Sequence, residues 1–110
     1  MHDIIMDMEI LTLYVTHKNQ EEADKVVDYL LENKLIACAN FFPITSRYWW
    51  KGSIENQEEI VSLLKTRKEN FEIVRDEILN IHPYDTPCIL KLDAEVNDSY
   101  GQWILGETNR

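Results

Sequence analysis

Two histidines and two cysteines are the side chains of this sequence best suited to bind a transition metal. They are His17, His82, Cys38 and Cys88, while the third histidine, His2, lies in the N-terminal segment. A transition-metal site usually needs three or four converging ligands, and no pair here has a recurrent spacing such as CxxC or HxxxH. We take His82 and Cys38 as the candidate metal ligands. Two other roles stay open for His82, namely stabilisation of a helix C-terminus and contact with a ligand between subunits.

Carboxylates near a predicted hairpin are the residues that could gather hard divalent cations. They are Glu55, Glu58 and Glu59, with Asp76 and Glu77 on a predicted helix. The same residue types are also typical of a solvated surface, which is the interpretation that we favour. A net charge of −9 concentrates divalent cations weakly even without a designed site.

Motifs of covalent or acid–base catalysis are missing from the sequence. It contains no GxSxG, no Gly-rich phosphate loop and no HExxH. Thr66 is better explained as a helix cap than as a nucleophile. We therefore predict that the protein is not an enzyme. Nucleic acid is not an expected partner either, because the negative charge repels phosphates and no cluster of Lys and Arg offsets it.

The compartment follows from the cysteines and from the hydropathy pattern. Isolated cysteines such as Cys38 and Cys88 are usually buried free thiols in a reducing compartment, with a disulfide as the alternative. The apolar runs are far shorter than the roughly 20 residues of a membrane-spanning helix, and the N-terminus lacks the features of a signal peptide. We predict a cytoplasmic protein with no membrane partner. Residues 1–8 are predicted to be a flexible extension, and residues 9–110 a single domain.

The first strand and the first helix are the clearest elements. Residues 9–16 alternate as a strand, with Leu11, Leu13 and Val15 on one face. Asn19 and Glu22 form a capping box that begins a helix. Its apolar stripe consists of Ala23, Val26, Val27, Leu30 and Leu31, and the helix ends near residues 33–34.

A long hairpin follows. The second strand covers residues 35–42 and 48–50, with a bend or bulge expected at Pro43 because proline has no backbone donor. Lys51 and Gly52 form a two-residue turn. The third strand returns over residues 54–65.

A second helix and two short elements complete the chain. Thr66 and Glu69 form a second capping box before a helix that Pro83 ends. Residues 88–92 are a fourth strand, and a short third helix follows Asn97. The order βαββαβ with a short C-terminal helix predicts an α+β, ferredoxin-like antiparallel sheet.

The arrangement of this fold leaves one face of the sheet without helices. Right-handed crossovers put both main helices on the same face. Neither alternating set of the first and third strands is cleanly polar, so we infer that a partner covers the bare face. The run Tyr48, Trp49 and Trp50 supports this inference, because consecutive strand residues point to opposite faces and one small core cannot enclose both sets. These three residues are the predicted interface anchors; the alternative is ordinary core aromatics at the base of a hairpin.

Four segments resemble, in order, those of the CutA divalent-cation-tolerance proteins. They are ACANFFPITSRYWWKG, LLKTR, HPYDTP and NDSYGQWI, within a resemblance that extends from about Glu9 to Ile104. The resemblance implies a ferredoxin-like subunit in a tight homotrimer, similar in architecture to the PII signalling proteins. The sequence departs from the copper ligands proposed in bacterial members, because Val15 replaces a cysteine and Ile81 replaces a histidine beside His82.

Three hypotheses of function follow from these observations. The first is a homotrimeric protein of divalent-cation tolerance that requires no cofactor and binds copper or another divalent cation weakly. The second is a PII-like sensor of a small molecule in an intersubunit cleft near Lys65, His82, Tyr84 and Trp50. The third is a trimeric scaffold for another protein.

Overall fold

Seven regular elements and one short turn build the structure. The computed structural model describes residues 7–109. Its elements are β1 (Met8–His17), α1 (Gln20–Glu32), β2 (Cys38–Trp50), β3 (Ser53–Thr66), α2 (Phe71–Ile81), β4 (Ile89–Val96) and α3 (Asp98–Glu107), with a 3-10 turn at Lys68–Asn70. The predicted βαββαβ order with a C-terminal helix is confirmed. Of the predicted extension, residues 1–6 lie outside the described residues and Met8 begins β1.

The four strands form one antiparallel sheet in the order β2-β3-β1-β4. Leu13 of β1 pairs with Leu64 of β3 and with Lys91 of β4. The inward face of β1 packs against α1 and α2 in a core that also contains the following residues: Val26, Val27, Leu30, Val74 and Ile78. The N-cap predicted at Asn19 is confirmed, since its side chain accepts a hydrogen bond of 2.9 Å from the Glu22 backbone N–H.

The β2–β3 hairpin is regular along its whole length. Its register runs without interruption from Cys38 paired with Lys65, through Pro43 paired with Ile60, to Trp50 paired with Ser53. The bend or bulge expected at Pro43 is therefore wrong. β2 is an edge strand, where a proline without a backbone donor is tolerated.

The start of β2 and the tip of the hairpin also test the sequence prediction. Leu35 and Ile36, which we expected in β2, precede it and are buried. The turn at Lys51 and Gly52 is confirmed, because both residues have positive φ angles of 49° and 84°, as a type I′ hairpin requires.

Thr66 does not cap a helix, contrary to the prediction. It is the last residue of β3, and its hydroxyl donates a buried hydrogen bond of 2.7 Å to the Leu35 carbonyl. Asn70 donates to the same carbonyl at 3.1 Å. The Leu35 carbonyl lies in a buried loop and has no strand partner of its own. Because a buried carbonyl needs a hydrogen-bond donor, the Thr66 side chain points toward it.

The sheet face opposite α1 and α2 is only partly covered. The register places Tyr14, Phe42, Leu63, Leu90 and Leu92 on this open face, where Leu90 and Leu92 are 49% and 45% exposed. α3 covers one end, where a Cβ on Gly101 would lie only 2.7 Å from the sulfur of Met8. None of the helices within residues 7–109 is long and apolar enough to cross a membrane.

Candidate functional site

A groove of about 880 Å³ runs along the hairpin, from the loop after α2 to the aromatic residues near the hairpin tip. Its aromatic lining consists of Tyr48, Trp49, Trp50 and Tyr84. Its charged lining consists of the carboxylates Glu55, Glu58, Glu59 and Asp85 and the cations Lys18 and Arg47. The groove therefore combines aromatic surfaces with an excess of negative charge.

Tyr84 and Glu59 form a hydrogen-bonded pair in the lining of this groove. The Tyr84 hydroxyl donates a hydrogen bond of 2.7 Å to Oε2 of Glu59, whose residue surface is only 9% exposed. Burial, and then this carboxylate, raises the pKa of Tyr84 above its usual range, so the phenol stays protonated. Burial and the charge of Glu59 also raise the pKa of the Cys88 thiol. Across residues 7–109, no Lys, Arg or His forms a salt bridge with Glu59.

His82 holds the loop that carries Tyr84. Its Nε2 lies 2.8 Å from the Thr16 carbonyl, and its Nδ1 lies 3.2 Å from the Tyr84 backbone N–H. A carbonyl only accepts hydrogen bonds, so Nε2 must carry the hydrogen and Nδ1 must accept. Both ring nitrogens therefore have partners, and neither is free to bind a metal. The side chain bonds to β1, not to the end of its own helix as one sequence interpretation expected.

His17 lies beneath His82 in the core. The two rings stack with centroids 5.2 Å apart, and Nε2 of His17 lies 2.7 Å from the Ser62 hydroxyl. His17 is fully buried, and this burial, with a contribution from His82, lowers its pKa to about 4. Its Nδ1 has no hydrogen-bond partner in the part of the chain that the structure describes. This buried pair was not predicted from the sequence, although His17 continues the inward alternation of Leu13 and Val15.

Cys38 and Lys65 lie at the other end of the hairpin. Cys38 Sγ lies 3.1 Å from the Tyr100 hydroxyl, and Lys65 Nζ donates a 2.6 Å hydrogen bond to Asn40. Lys65 is six positions along β3 from Glu59, which corresponds to roughly 20 Å. Within one chain, the structure thus brings Trp50 and Tyr84 to one groove and His82 into contact with Tyr84, while Lys65 lies apart.

The two candidate metal ligands are not neighbours within one chain. Cys38 pairs with Lys65 in the sheet, whereas His82 contacts Thr16 and Tyr84. Among residues 7–109, no three His, Cys, Asp or Glu side chains are grouped in a way that could hold a metal ion. A site built from Cys38 and His82 would need residues from another copy of the chain.

Comparison with known proteins identifies similar chains. Residues 11–107 match the family model described as CutA1 divalent ion tolerance protein. The divalent-cation tolerance protein CutA of Pyrococcus horikoshii is 40% identical over 102 residues, which are 92% of this chain and 100% of that protein.

Solved structures give the same result. The crystal structure of the divalent ion tolerance protein CutA1 from Ehrlichia chaffeensis has a TM-score of 0.88 and 43% identity, covering 92% of this chain and 96% of that one. The Archaeoglobus fulgidus protein, described as a periplasmic divalent cation tolerance protein CutA, has a TM-score of 0.87 and 41% identity. It covers 93% of this chain and 100% of its own. The resemblance seen in the sequence therefore extends to the whole fold.

Proposed function

This chain belongs to the CutA1 family of divalent ion tolerance proteins, and we propose that it acts in copper tolerance as a homotrimer and not as an enzyme. The observation that carries the proposal is the similarity, over nearly the whole length, to relatives named for divalent-cation tolerance. The family's description names tolerance to an ion and no reaction.

The open sheet face supports the homotrimer. Leu90, Leu92 and Phe42 lie on this face and are between 39% and 49% exposed, and the hairpin adds Tyr48 and Trp50 to the same side. So many large apolar side chains on one face are unusual for a small monomeric protein and typical of an interface. A hairpin that extends the molecule to 59 Å reaches a neighbouring subunit, so each copy offers an open face and a hairpin as two different patches, as a closed ring of three requires.

We propose that divalent cations bind weakly, through the overall negative charge. His82 has partners on both ring nitrogens, so the residues described do not fit a tightly held copper ion. A trimer carries three times the net charge of −9, which raises the local concentration of divalent cations without a closed coordination shell. Such binding is screened by salt.

A small-molecule sensor is the second candidate function, and the aromatic groove favours it. Trp50 and Tyr84 line this groove, and its volume of about 880 Å³ falls within the range of small-molecule sites. In this proposal the groove is one wall of an intersubunit cleft, and another copy supplies Lys65.

The cytoplasm is the location that we propose. Cys38 and Cys88 are free cysteines, as is usual in a reducing compartment. The Archaeoglobus fulgidus relative is described as periplasmic, so fractionation of the source cells is the direct test. Recovery of the protein with periplasmic markers would contradict this location.

A growth measurement tests the role in tolerance. Growth of a bacterial strain that lacks its own member of this family is recorded at graded copper concentrations, with and without this chain. We expect the chain to raise the copper concentration that halves the growth rate; equal curves would contradict the proposal.

The binding mode needs a separate measurement. Calorimetric titration of the metal-stripped protein with Cu²⁺ and Zn²⁺ is compared among the unmodified protein, His82→Ala and Cys38→Ala. We expect weak, salt-sensitive binding in all three proteins. Tight binding that either substitution abolishes would instead make that residue a ligand.

A further inference from the structure

We propose that the aromatic groove binds an organic cation, an alkylammonium group attached to an apolar or aromatic body, with the ammonium at Glu59. This inference rests on the second candidate function, in which the groove is a small-molecule site, and it names the chemical class of the ligand.

Glu59 provides the negative charge that would bind the ammonium group. Its residue surface is about nine-tenths buried, and within the described part of the chain it has a hydrogen bond from a neutral phenol but no cationic partner. A nearly buried carboxylate without a counter-ion is costly, and a bound cation would offset that cost. The four lining carboxylates outnumber the two lining cations, Lys18 and Arg47, and Arg47 already donates to Asn56 at 2.7 Å.

The geometry around Glu59 leaves room for a ligand. Tyr84 donates to Oε2 only, so Oε1 of Glu59 is available to accept a hydrogen bond from the groove. Tyr84 is itself fixed by the hydrogen bond from its backbone N–H to His82. The carboxylate is thus held in one orientation before a ligand arrives, which lowers the entropy cost of binding.

Aromatic rings provide the second part of the recognition. Tyr84, which donates a hydrogen bond to Glu59, is the aromatic residue at this end of the groove, and an ammonium group is attracted to the face of such a ring. Trp50 lies further along the same groove, because it pairs with Ser53 near the hairpin tip whereas Glu59 pairs with Ile44. The apolar part of the ligand would pack against the remaining aromatic surface of the groove.

An organic cation fits this groove better than a metal ion. A hard cation such as Ca²⁺ requires six or more oxygen ligands, and a transition metal requires three or four converging donors. Residues 7–109 contain no group of three suitable side chains. An ammonium group needs only a few acceptors, which Glu59 and the aromatic faces supply.

The test compares a charged probe with a neutral one on the native oligomer. Tryptophan fluorescence and calorimetry measure the binding of 2-phenylethylammonium and of 2-phenylethanol, which have the same aromatic body. We expect the ammonium probe to bind at least about tenfold more tightly, because a charge-assisted hydrogen bond adds to the aromatic contact. Equal affinities, or no binding of the ammonium probe at millimolar concentration, would overturn the proposal.

Substitution of Glu59 tests whether the ammonium group binds at this residue. Glu59→Gln retains an oxygen that accepts from Tyr84 but removes the charge, and we expect it to abolish the preference for the ammonium probe. Glu32→Gln is the matched control, because Glu32 is exposed on α1, and it should leave the preference intact. A preference that survives in Glu59→Gln would place the ammonium elsewhere and overturn the proposal.

Failure of this inference is distinguishable from failure of the proposed tolerance. The growth and metal-titration measurements use no amine, and the amine titration uses no metal. Equal affinities of the two probes together with a copper-tolerance effect in the growth measurement would overturn this inference and leave the proposed tolerance intact.

Discussion

The imidazole rings of His17 and His82 stack with their planes 19° apart and their centroids separated by 5.2 Å. One ring belongs to the last residue of β1, and the other follows the last residue of α2. The stack, together with the hydrogen bond from His82 to the Thr16 carbonyl, fixes the loop after α2 on the sheet. That loop carries Tyr84 into the groove beside Glu59.

Acidification should weaken the fold through His17. Its pKa is lowered from 6.5 to about 4. Between these two pH values the imidazole is mostly protonated in the unfolded chain and mostly neutral in the folded chain. The contribution of His17 to stability is therefore present above pH 6.5 and is lost as the pH falls toward 4. The loss approaches about 1.4 kcal/mol per pH unit within this window.

Denaturant unfolding between pH 7 and pH 4.5 checks this prediction. His17→Gln removes the titrating group, so the difference in unfolding free energy between the two proteins should shrink as the pH falls. A difference that stays constant with pH would show that His17 titrates normally in the folded protein.

Thr66→Val should destabilise the protein by about 1–3 kcal/mol. The substitution keeps the shape of the side chain but removes the buried hydroxyl that donates to the Leu35 carbonyl. Thr45→Val is the control, because Thr45 is an exposed residue of β2, and it should change the unfolding free energy by less than about 0.5 kcal/mol. Comparable losses in the two variants would mean that the buried hydrogen bond contributes little.

The two glycines of α3 should respond oppositely to alanine. Gly106 has open space where a Cβ would lie, so Gly106→Ala should raise the unfolding free energy by roughly 0.5–1 kcal/mol. Gly101→Ala places its methyl group 2.8 Å from Cβ of Met8 and should lower the stability. Combining it with Met8→Gly, which removes both the sulfur and the Cβ of Met8, should recover part of the loss in thermal unfolding. Equal stabilisation at both glycines would mean that Met8 moves aside freely.

A charge on the open sheet face should disrupt the proposed trimer. Leu92→Glu puts a carboxylate among apolar side chains that a second copy would bury, and sedimentation equilibrium should show association weakened at least about tenfold. Leu79→Glu is the control, since Leu79 is 51% exposed on α2, away from this face. A trimer unaffected by Leu92→Glu would place the interface elsewhere, and a well-folded unmodified monomer at micromolar concentration would contradict the assembly itself.

The features predicted correctly from the sequence depend on residues close together in the chain. The stripe of α1, the cap at Asn19 and the turn at Lys51 and Gly52 each involve positions close together in the chain, so spacing specifies them. Within the predicted stripe Leu31 is the exception, because it is 39% exposed. The ordered motifs also identified the family before the fold was known. Tyr48, Trp49 and Trp50 predict a second surface that is buried by assembly, and this stays a prediction because all three are exposed in the single chain.

Tertiary structure decided the contacts between residues far apart in the chain. Thr66 is a residue type that often caps helices, yet its hydroxyl donates a hydrogen bond to the Leu35 carbonyl, 31 positions earlier in the chain. His82 bonds to Thr16, and His17 to Ser62, across 66 and 45 positions. Local spacing carries no information about which buried carbonyl or hydroxyl will be without a partner once the sheet has formed. The sequence by itself therefore determined the elements and their order, whereas only packing decided which side chains had free nitrogen or oxygen atoms for chemistry.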